Sequence, residues 1–386
     1  MDKKKNKKKR AEFDLRKHTI LLTVAGSRAY GMHTDDSDVD LKGVCIPPRK
    51  CRDGFLHRFE QSDNKKDMML FSDLLSSVEK QKGEEGEVEG TIYDIRKFFA
   101  LAAQNNPNIM DALFCRPEEV RFSGIPGAIL RTHAESFLSR KSRWTFGGYA
   151  RSQLKRIETH RRWLLEPPFG KPLRSDYNLP ERTLIPANQL AAAQDAIKKK
   201  IDSWEVDYGS LDESEKIYIQ DQLAESWAEM KVGSDEKFAA AARMIGYDEN
   251  FIELLDRERR YRGALTNFNQ YLTWKDERNA ERAALEAKFG YDTKHGSHLV
   301  RLLRMCREIL TDGVVNVYRP DADELLSIRR GEWTYEDILA FVEDEETKIN
   351  EAYKTSQLPD VPDKEELDKL CCRLVKYTVF VEPTYE

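Results

Sequence analysis

Two short apolar segments, joined by a Gly-Ser turn and two spaced aspartates, constrain this fold more than any other feature. The first segment, His18–Ala25, is rich in β-branched residues and ends directly at the Gly-Ser pair, which predicts a buried strand. The second segment, Val39–Ile46, begins beside Asp38 and Asp40 and stops at a pair of prolines. The pattern predicts a sheet that carries polar groups where its strands meet.

The Gly-Ser turn has the chemistry of an anion site. Gly26 lets the backbone approach a ligand closely, and the Ser27 hydroxyl and neighbouring N–H groups can hold phosphate oxygens. A Gly-Ser pair alone is more often an ordinary turn. Its weight comes from the aspartates that follow about ten residues later and from the strands on either side.

The two aspartates favour a metal site. Asp38 and Asp40 are two residues apart at the start of a strand, so alternation places both carboxylates on one face. Like charges this close repel unless a cation bridges them, and hard oxygen ligands suit Mg²⁺ or Mn²⁺. An Asp-x-Asp pair alone is usually a solvated turn, so the prediction rests on its combination with the preceding Gly-Ser turn.

A third carboxylate from a neighbouring strand would complete such a site. The segment Glu87–Tyr93 is predicted to be that strand, and Glu89 is the preferred third ligand. Glu87 has the same alternation parity and is the alternative. Asp94 lies nearer the start of the following helix and is the candidate for its N-cap.

A late helix carries a cationic stripe. Lys294, His298 and Arg301 are spaced i, i+4 and i+7, so they share a face, and Arg304 continues it. Such a stripe suits a triphosphate, because Arg can fork onto oxygens and Lys acts as a point charge. The alternatives are a solvated basic face or ion pairs with acidic neighbours, and for His298 a buried core histidine.

Composition excludes several classes of protein. The chain has 386 residues, 34% of them charged, and a mean hydropathy of -0.68, so no membrane-spanning segment is predicted. Seven of the first ten residues are Lys or Arg, whereas the net charge is -5. Residues 1–12 are therefore predicted to be a disordered basic tail on an acidic body. The tail is either a solubilising leader or an electrostatic arm for nucleic acid.

The cysteines and histidines limit the other metal chemistries. None of the six cysteines forms a CxxC pair, so a zinc ribbon is not predicted, and their scatter favours reduced thiols in a cytoplasmic protein. The seven histidines are few, which argues against a histidine-based metal centre. No GxxxxGK[ST] motif is present, so a P-loop is not predicted.

The segment from Gly26 to Gly43 resembles the GS…DxD signature of the DNA polymerase β-like nucleotidyltransferase superfamily. More narrowly, it is similar to the YcgL-type predicted nucleotidyltransferases of bacteria and phages. Ile92–Phe99, the Asn-Pro-Asn motif at 106–108 and the late basic segment Gly290–Arg304 resemble further parts of that family.

The resemblance implies an α+β fold, with a nucleotidyltransferase-type mixed β-sheet core followed by a largely α-helical C-terminal domain. The catalytic domain is expected at 13–120 and the helical domain at 121–386. An insert at about 170–285, which the resemblance does not cover, is expected to select partners or acceptors.

The resemblance also implies an activity. Asp38, Asp40 and Glu89 would be catalytic and would bind Mg²⁺ or Mn²⁺; an NTP, ATP in the first place, would donate NMP to an acceptor hydroxyl and release pyrophosphate. The nucleotide-binding residues would be Gly26, Ser27, Lys294, His298, Arg301 and Arg304. An RNA 3′ end is the favoured acceptor, with a protein side chain or a small molecule as alternatives. The rival interpretations are a catalytically silent nucleotide- or RNA-binding module, a partner-binding helical protein, and a toxin or antiphage nucleotidyltransferase.

Overall fold

The structure is a computed structural model that describes residues 11–34, 37–77, 79, 88–183, 185–202, 234–278 and 280–381. Nearly all of the predicted basic tail at 1–12, and the alternative ligand Glu87, lie outside the described residues.

A five-stranded mixed sheet forms the N-terminal part of the described chain. Its strands are Thr19–Ala25 (β1), Val39–Cys45 (β2), Gln61–Ser62 (β3), Val88–Asp94 (β4) and Val120–Ser123 (β5). Their order across the sheet is β3-β4-β2-β1-β5, with β2 and β4 parallel and the other neighbours antiparallel. The predicted domain boundary at 120 falls on the first residue of β5.

Helices connect and follow the strands. In chain order they are Leu15–His18 (α1), Gly26–Ala29 (α2), Arg49–Arg52 (α3), Lys65–Met68 (α4), Ile95–Ala102 (α5), Pro107–Phe114 (α6), Ile125–Thr132 (α7), Ser142–Leu165 (α8), Ala187–Asp202 (α9), Ser234–Ile245 (α10), Glu249–Glu277 (α11), Ala280–Phe289 (α12), Thr293–Asp312 (α13), Ala322–Arg329 (α14), Tyr335–Thr355 (α15) and Lys364–Val381 (α16). Short 3₁₀ turns occupy Met69–Leu74, Pro117–Glu119, Ala134–Phe137 and Arg174–Tyr177. The predicted α+β class, with a mixed sheet followed by helices, is confirmed.

The sheet separates two hydrophobic cores. Leu22, Val24 and Leu41 face a smaller core built with Phe71 and Met68. The alternate positions of the same strands face a larger core. This core also includes residues of helices that precede residue 162 in the sequence and of helices that follow residue 284. This alternation is the period of two that side chains follow along a strand. The same alternation places the predicted site residues Asp40 of β2 and Glu89 of β4 on the side of the larger core.

The chain divides into two compact units. The first unit comprises residues 1–161 and 285–386, and the second comprises residues 162–284. The second unit has its own core, in which Leu190, Ala241 and Leu255 of α9, α10 and α11 are buried. Its predicted part in choosing partners or acceptors stays a prediction.

Candidate active site

Strand register brings two of the predicted acidic residues side by side. β2 and β4 run parallel, and Asp40 pairs with Glu89 across them. Asp38 lies two residues before Asp40, immediately before β2 begins, so it extends the same face of the sheet. The three predicted acids therefore lie at the beginnings of two neighbouring parallel strands.

Gly26 fits against Asp40 because no other residue type has room there. On the other side of β2, Ala25 pairs with Asp40, so the chain passes from β1 into α2 beside that carboxylate. Gly26 has a φ of +65°, and a Cβ at this position would collide with Asp40 Oδ2. Ser27 follows in α2, and its carbonyl accepts a hydrogen bond from the Met32 N–H at 2.8 Å.

Arg28 forms hydrogen bonds with the backbone at Ser37 and Asp38. Its guanidinium donates to the carbonyl of Ser37 at 3.0 Å and to the carbonyl of Asp38 at 3.4 Å. The Ser37 hydroxyl in turn accepts the Thr34 N–H at 2.9 Å. These contacts hold the backbone just before β2, and the Asp38 side chain remains exposed.

The electrostatics of Asp40 are those of a crowded anionic site. Burial raises the pKa of Asp40, the charges of Asp38 and Glu89 raise it further, and Lys42 and Lys294 lower it. Asp38 and Glu89 therefore each lie within electrostatic range of Asp40. A divalent cation would relieve this repulsion, and carboxylate oxygens are the ligands that Mg²⁺ and Mn²⁺ prefer.

The three carboxylates do not yet surround a common point. Within the described part of the chain, one group of three acidic, histidine or cysteine side chains has ligand atoms all within 4.8 Å, and this group is not the predicted trio. Glu89 Oε1 instead lies 3.0 Å from Lys65 Nζ, and both side chains are about 60% exposed. An exposed ion pair of this kind contributes little free energy, so Glu89 can turn toward an ion at low cost.

A cavity of about 320 Å³ lies over these residues. Its walls include Gly26, Asp40 and Glu89, together with Tyr30 and Lys65. The volume is at the lower end of the range for small-molecule sites. The cavity thus brings Gly26 together with two of the three predicted metal ligands, whereas Ser27 and Asp38 are not among its lining residues.

Lys42 is a site residue that the sequence analysis missed. Its Nζ donates to the carbonyl of Asn108 at 2.7 Å and lies 3.4 Å from Asn108 Oδ1, and both residues line the cavity. Burial lowers the pKa of Lys42, whereas Asp111 and Asp40 raise it. The alternation that joins Asp38 to Asp40 continues to Lys42, so the strand pattern already contained the signal.

Tyr30 forms a further wall of the cavity and was also missed. Its hydroxyl donates to Asp111 Oδ2, and the guanidinium of Arg301 lies 3.7 Å above its ring. Burial raises the pKa of Tyr30, so it is a neutral donor at neutral pH. Arg301 is buried, and its Nη1 is 3.9 Å from Asp111 Oδ1. The structure thus places Arg301 behind Tyr30, inside the protein.

The rest of the predicted cationic stripe divides between exposed and half-buried positions. Lys294 is exposed in the first turn of α13, and its charge lowers the pKa of Asp40. Burial, with the charge of Arg301 second, lowers the pKa of His298 to about 3, so His298 is neutral at neutral pH. Arg304 lies 2.6 Å from Asp321 and 2.7 Å from Glu324. Lys294 is therefore the member of the stripe that the structure brings to Asp40 as an exposed charge.

Asp94 is the N-cap of α5. Its carboxylate accepts the backbone N–H of Arg96 at 2.7 Å and forms an ion pair with the Arg96 guanidinium. This agrees with the capping position that its place in the sequence indicated.

A protein-family model matches the part of the chain that contains the sheet. Residues 3–165 match the model of RlaP, the RNA repair pathway DNA polymerase beta family. The match confirms the predicted resemblance to the DNA polymerase β-like nucleotidyltransferases, and it covers the sheet and all the acidic residues of the site.

The chain is also similar to a protein of Enterobacteria phage T4, described as an uncharacterized 38.9 kDa protein in the nrdC-mobD intergenic region. The two are 24% identical over 338 residues, which is 84% of this chain and 87% of the phage protein. No solved structure is significantly similar to the chain. No helix in the described residues combines the length and hydropathy that a membrane crossing requires.

Proposed function

We propose that this protein transfers the NMP group of an NTP, ATP in the first place, to an acceptor hydroxyl and releases pyrophosphate. The observation that carries the proposal is the pairing of Asp40 with Glu89 across β2 and β4, with Gly26 packed against Asp40 at the mouth of a cavity. The carboxylates can bind the cations that accompany a triphosphate, and the glycine lets the phosphates approach the backbone.

The donor set fits divalent metal. Asp38, Asp40 and Glu89 would hold Mg²⁺ or Mn²⁺, since all three offer hard oxygen ligands. Burial, followed by the charges of Asp38 and Glu89, raises the pKa of Asp40, and a bound cation would favour its ionised form. When bound, the metal supplies charge neutralisation for the attacking oxygen and for the leaving pyrophosphate.

The chain's own residues bind and orient the substrates. Gly26 gives the phosphates access to the backbone, and the Ser27 hydroxyl offers a hydrogen bond. Lys42 and Lys294 place positive charge near Asp40, where the triphosphate would lie. The acceptor oxygen attacks the α-phosphorus, the bond from that phosphorus to the bridging oxygen breaks, and the Glu89 carboxylate accepts the hydroxyl proton.

RNA is the acceptor that we favour. The matching family belongs to an RNA repair pathway, and the seven basic residues among the first ten would complement the charge of a polynucleotide. A cytoplasmic location fits the cysteines, all six of which are free thiols in described positions.

The test is transfer of label from each α-labelled NTP to RNA with a free 3′ hydroxyl, in Mg²⁺ or Mn²⁺. We expect label on the RNA, none on RNA whose 3′ end is blocked, and a loss of about 100-fold or more in Asp38→Asn and in Asp40→Asn. Asp53→Asn, an exposed aspartate paired with Arg49, is the matched control and should retain activity.

The rival function is a silent nucleotide-binding module, and the Lys65–Glu89 ion pair is the observation that favours it, because it occupies the third ligand. NTP binding without label transfer to RNA, protein or small molecules would establish this rival and reject the transferase. Label on the protein itself would reject RNA as the acceptor.

A further inference from the structure

A second cluster of ligand-type side chains lies in the first unit, away from the cavity described above. His160 on α8, Glu286 on α12 and Asp292, the N-cap of α13, have ligand atoms that all lie within 4.8 Å of one another. His160 Nδ1 is 3.5 Å from Glu286 Oε1. Three separate helical elements therefore converge on one small volume.

The two carboxylates of this cluster are buried. Glu286 is 3% exposed and Asp292 is 4% exposed. Removing two carboxylates from water together is costly unless positive charge accompanies them. A bound cation held by these side chains would supply such a charge.

The contact distances favour a cation between the groups. At 3.5 Å, the separation of His160 Nδ1 and Glu286 Oε1 exceeds the usual range of an N–H···O hydrogen bond. Two atoms that each lie about 2.0–2.1 Å from one tetrahedral ion are separated by about 3.4 Å. The observed spacing of 3.5 Å leaves room for one ion to contact both atoms.

The environment of Asp292 is also that of a metal ligand. Its Oδ1 accepts the backbone N–H of His295 at 3.0 Å, which fixes the carboxylate at the start of α13. His295 Nε2 lies 3.5 Å from Asp292 Oδ2, and the rings of His160 and His295 are 6.2 Å apart. A histidine beside a ligating carboxylate is a frequent support around metal sites.

We propose that His160, Glu286 and Asp292 bind a divalent transition-metal ion, for which Zn²⁺ is the probe, with His295 supporting Asp292. Imidazole together with carboxylate suits Zn²⁺ better than Mg²⁺, which prefers an all-oxygen shell that includes several waters. The low number of histidines argued against such a centre, but two of them meet here because α8 and α13 are neighbours in space.

The ion would fasten the beginning of α13 to α8 and α12. α13 carries Lys294 and Arg301, so the metal would hold in place the helix that presents positive charge to Asp40. The site is structural and does not rest on the proposed transferase activity.

The experiment is metal analysis of the purified full-length chain after dialysis into metal-free buffer, with a chromophoric chelator competing for Zn²⁺. We expect about one Zn²⁺ per chain, and more than about 100-fold weaker binding in His160→Gln and in Glu286→Gln. His133→Gln, a half-buried histidine outside the cluster, is the matched control and should bind Zn²⁺ as the wild type does.

Thermal unfolding gives the second readout. Zn²⁺ added back to chelator-treated protein should raise the Tm of the wild type and of the Asp38→Asn/Asp40→Asn double variant, but not that of Glu286→Gln, which keeps the shape of the side chain. Less than about 0.1 Zn²⁺ per chain, or binding unchanged in both His160→Gln and Glu286→Gln, would overturn the proposal.

Discussion

Asp40 is the residue at which the proposed function and the stability of the fold oppose each other. Its carboxylate lies against Gly26, faces Glu89 across the strands and is partly removed from water. Burial raises its pKa from the ordinary 3.8, and the neighbouring acids raise it further. The ionised form that a metal site requires is therefore unfavourable in the metal-free protein.

This opposition predicts a stabilising substitution. A raised pKa means that folded Asp40 holds its proton more tightly than the unfolded chain does, so stability falls as the pH rises from 3.8 through the raised pKa. Asp40→Asn removes that loss. At pH 7 without divalent metal, we expect its Tm to exceed that of the wild type by roughly 1–4 °C, while label transfer is abolished.

Scanning calorimetry at several pH values checks this expectation. The gain should vanish below pH 3.8, where Asp40 is protonated in both the folded and unfolded chain. Asp53→Asn, at an exposed position, should give no gain. A Tm at pH 7 equal to or below that of the wild type in Asp40→Asn would contradict the electrostatic account.

The same residue shows how far sequence reasoning reached. Alternation along one strand is local, so the spacing of Asp38 and Asp40 predicts a shared face without any knowledge of the rest of the fold. The register that sets Asp40 opposite Glu89 depends on long-range pairing, and here a candidate strand with the right parity was enough to find it. Lys42 was overlooked although it continues the same face.

Tertiary contacts explain what the sequence left open. Helical spacing predicted that Arg301 and Arg304 share a face with Lys294, but not which neighbours that face meets. Arg304 meets Asp321 and Glu324, and Arg301 meets the ring of Tyr30. Asp321 and Glu324 belong to the start of another helix, and Tyr30 is far from Arg301 in the sequence. Helix periodicity describes one helix only, so it cannot predict which residues of other segments the arginines contact.

At the scale of elements, Arg319 ties three segments together. It is 2% exposed, and its guanidinium forms two contacts with Glu308 of α13, at 2.7 and 2.8 Å, and one with Asp321 before α14 at 2.8 Å. Its backbone N–H donates to the carbonyl of Tyr30 at 3.1 Å. The C-terminal helices and the turn that lines the cavity therefore share one buried anchor.

Removing this anchor should be costly. Arg319→Met leaves Glu308 without its buried arginine partner and Asp321 with Arg304 alone, and we expect the free energy of unfolding to fall by about 3–5 kcal/mol. Arg330→Met is the matched control: Arg330 pairs with Glu332 at 2.8 Å with both side chains more than half exposed, and the expected loss is below about 1 kcal/mol. Urea denaturation measures both. Equal losses of unfolding free energy in the two variants would show that burial of the ion pair does not determine how much it contributes to stability.

At the scale of the whole molecule, the second unit interrupts the first at a single place. The chain leaves the first unit after residue 161 and returns at residue 285. The two junctions are adjacent within the first unit, since Arg161 Nη1 donates to the carbonyl of Gly290 at 2.8 Å. Closely spaced junctions are the usual condition for a tolerated domain insertion.

The first unit should therefore fold without the second. In a variant with residues 167–283 replaced by a short Gly-Ser linker, we expect the first unit to keep a cooperative unfolding transition. Its Tm should lie within about 5 °C of the corresponding transition of the full chain. Calorimetry, together with binding of a labelled NTP, measures the outcome. An unfolded product would show that residues 167–283 are needed for the fold of the first unit.

The larger core has a consequence for biosynthesis. It joins Leu21, near the beginning of the chain, to Leu370 and Leu374, near its end. A ribosome must therefore synthesise the chain through Leu374 before this core can close, although the sheet residues emerge early. Between the synthesis of Asp40 and that of Lys294, the nascent chain carries its aspartates without the helix that presents Lys294, and a product terminated in that interval would lack that helix altogether.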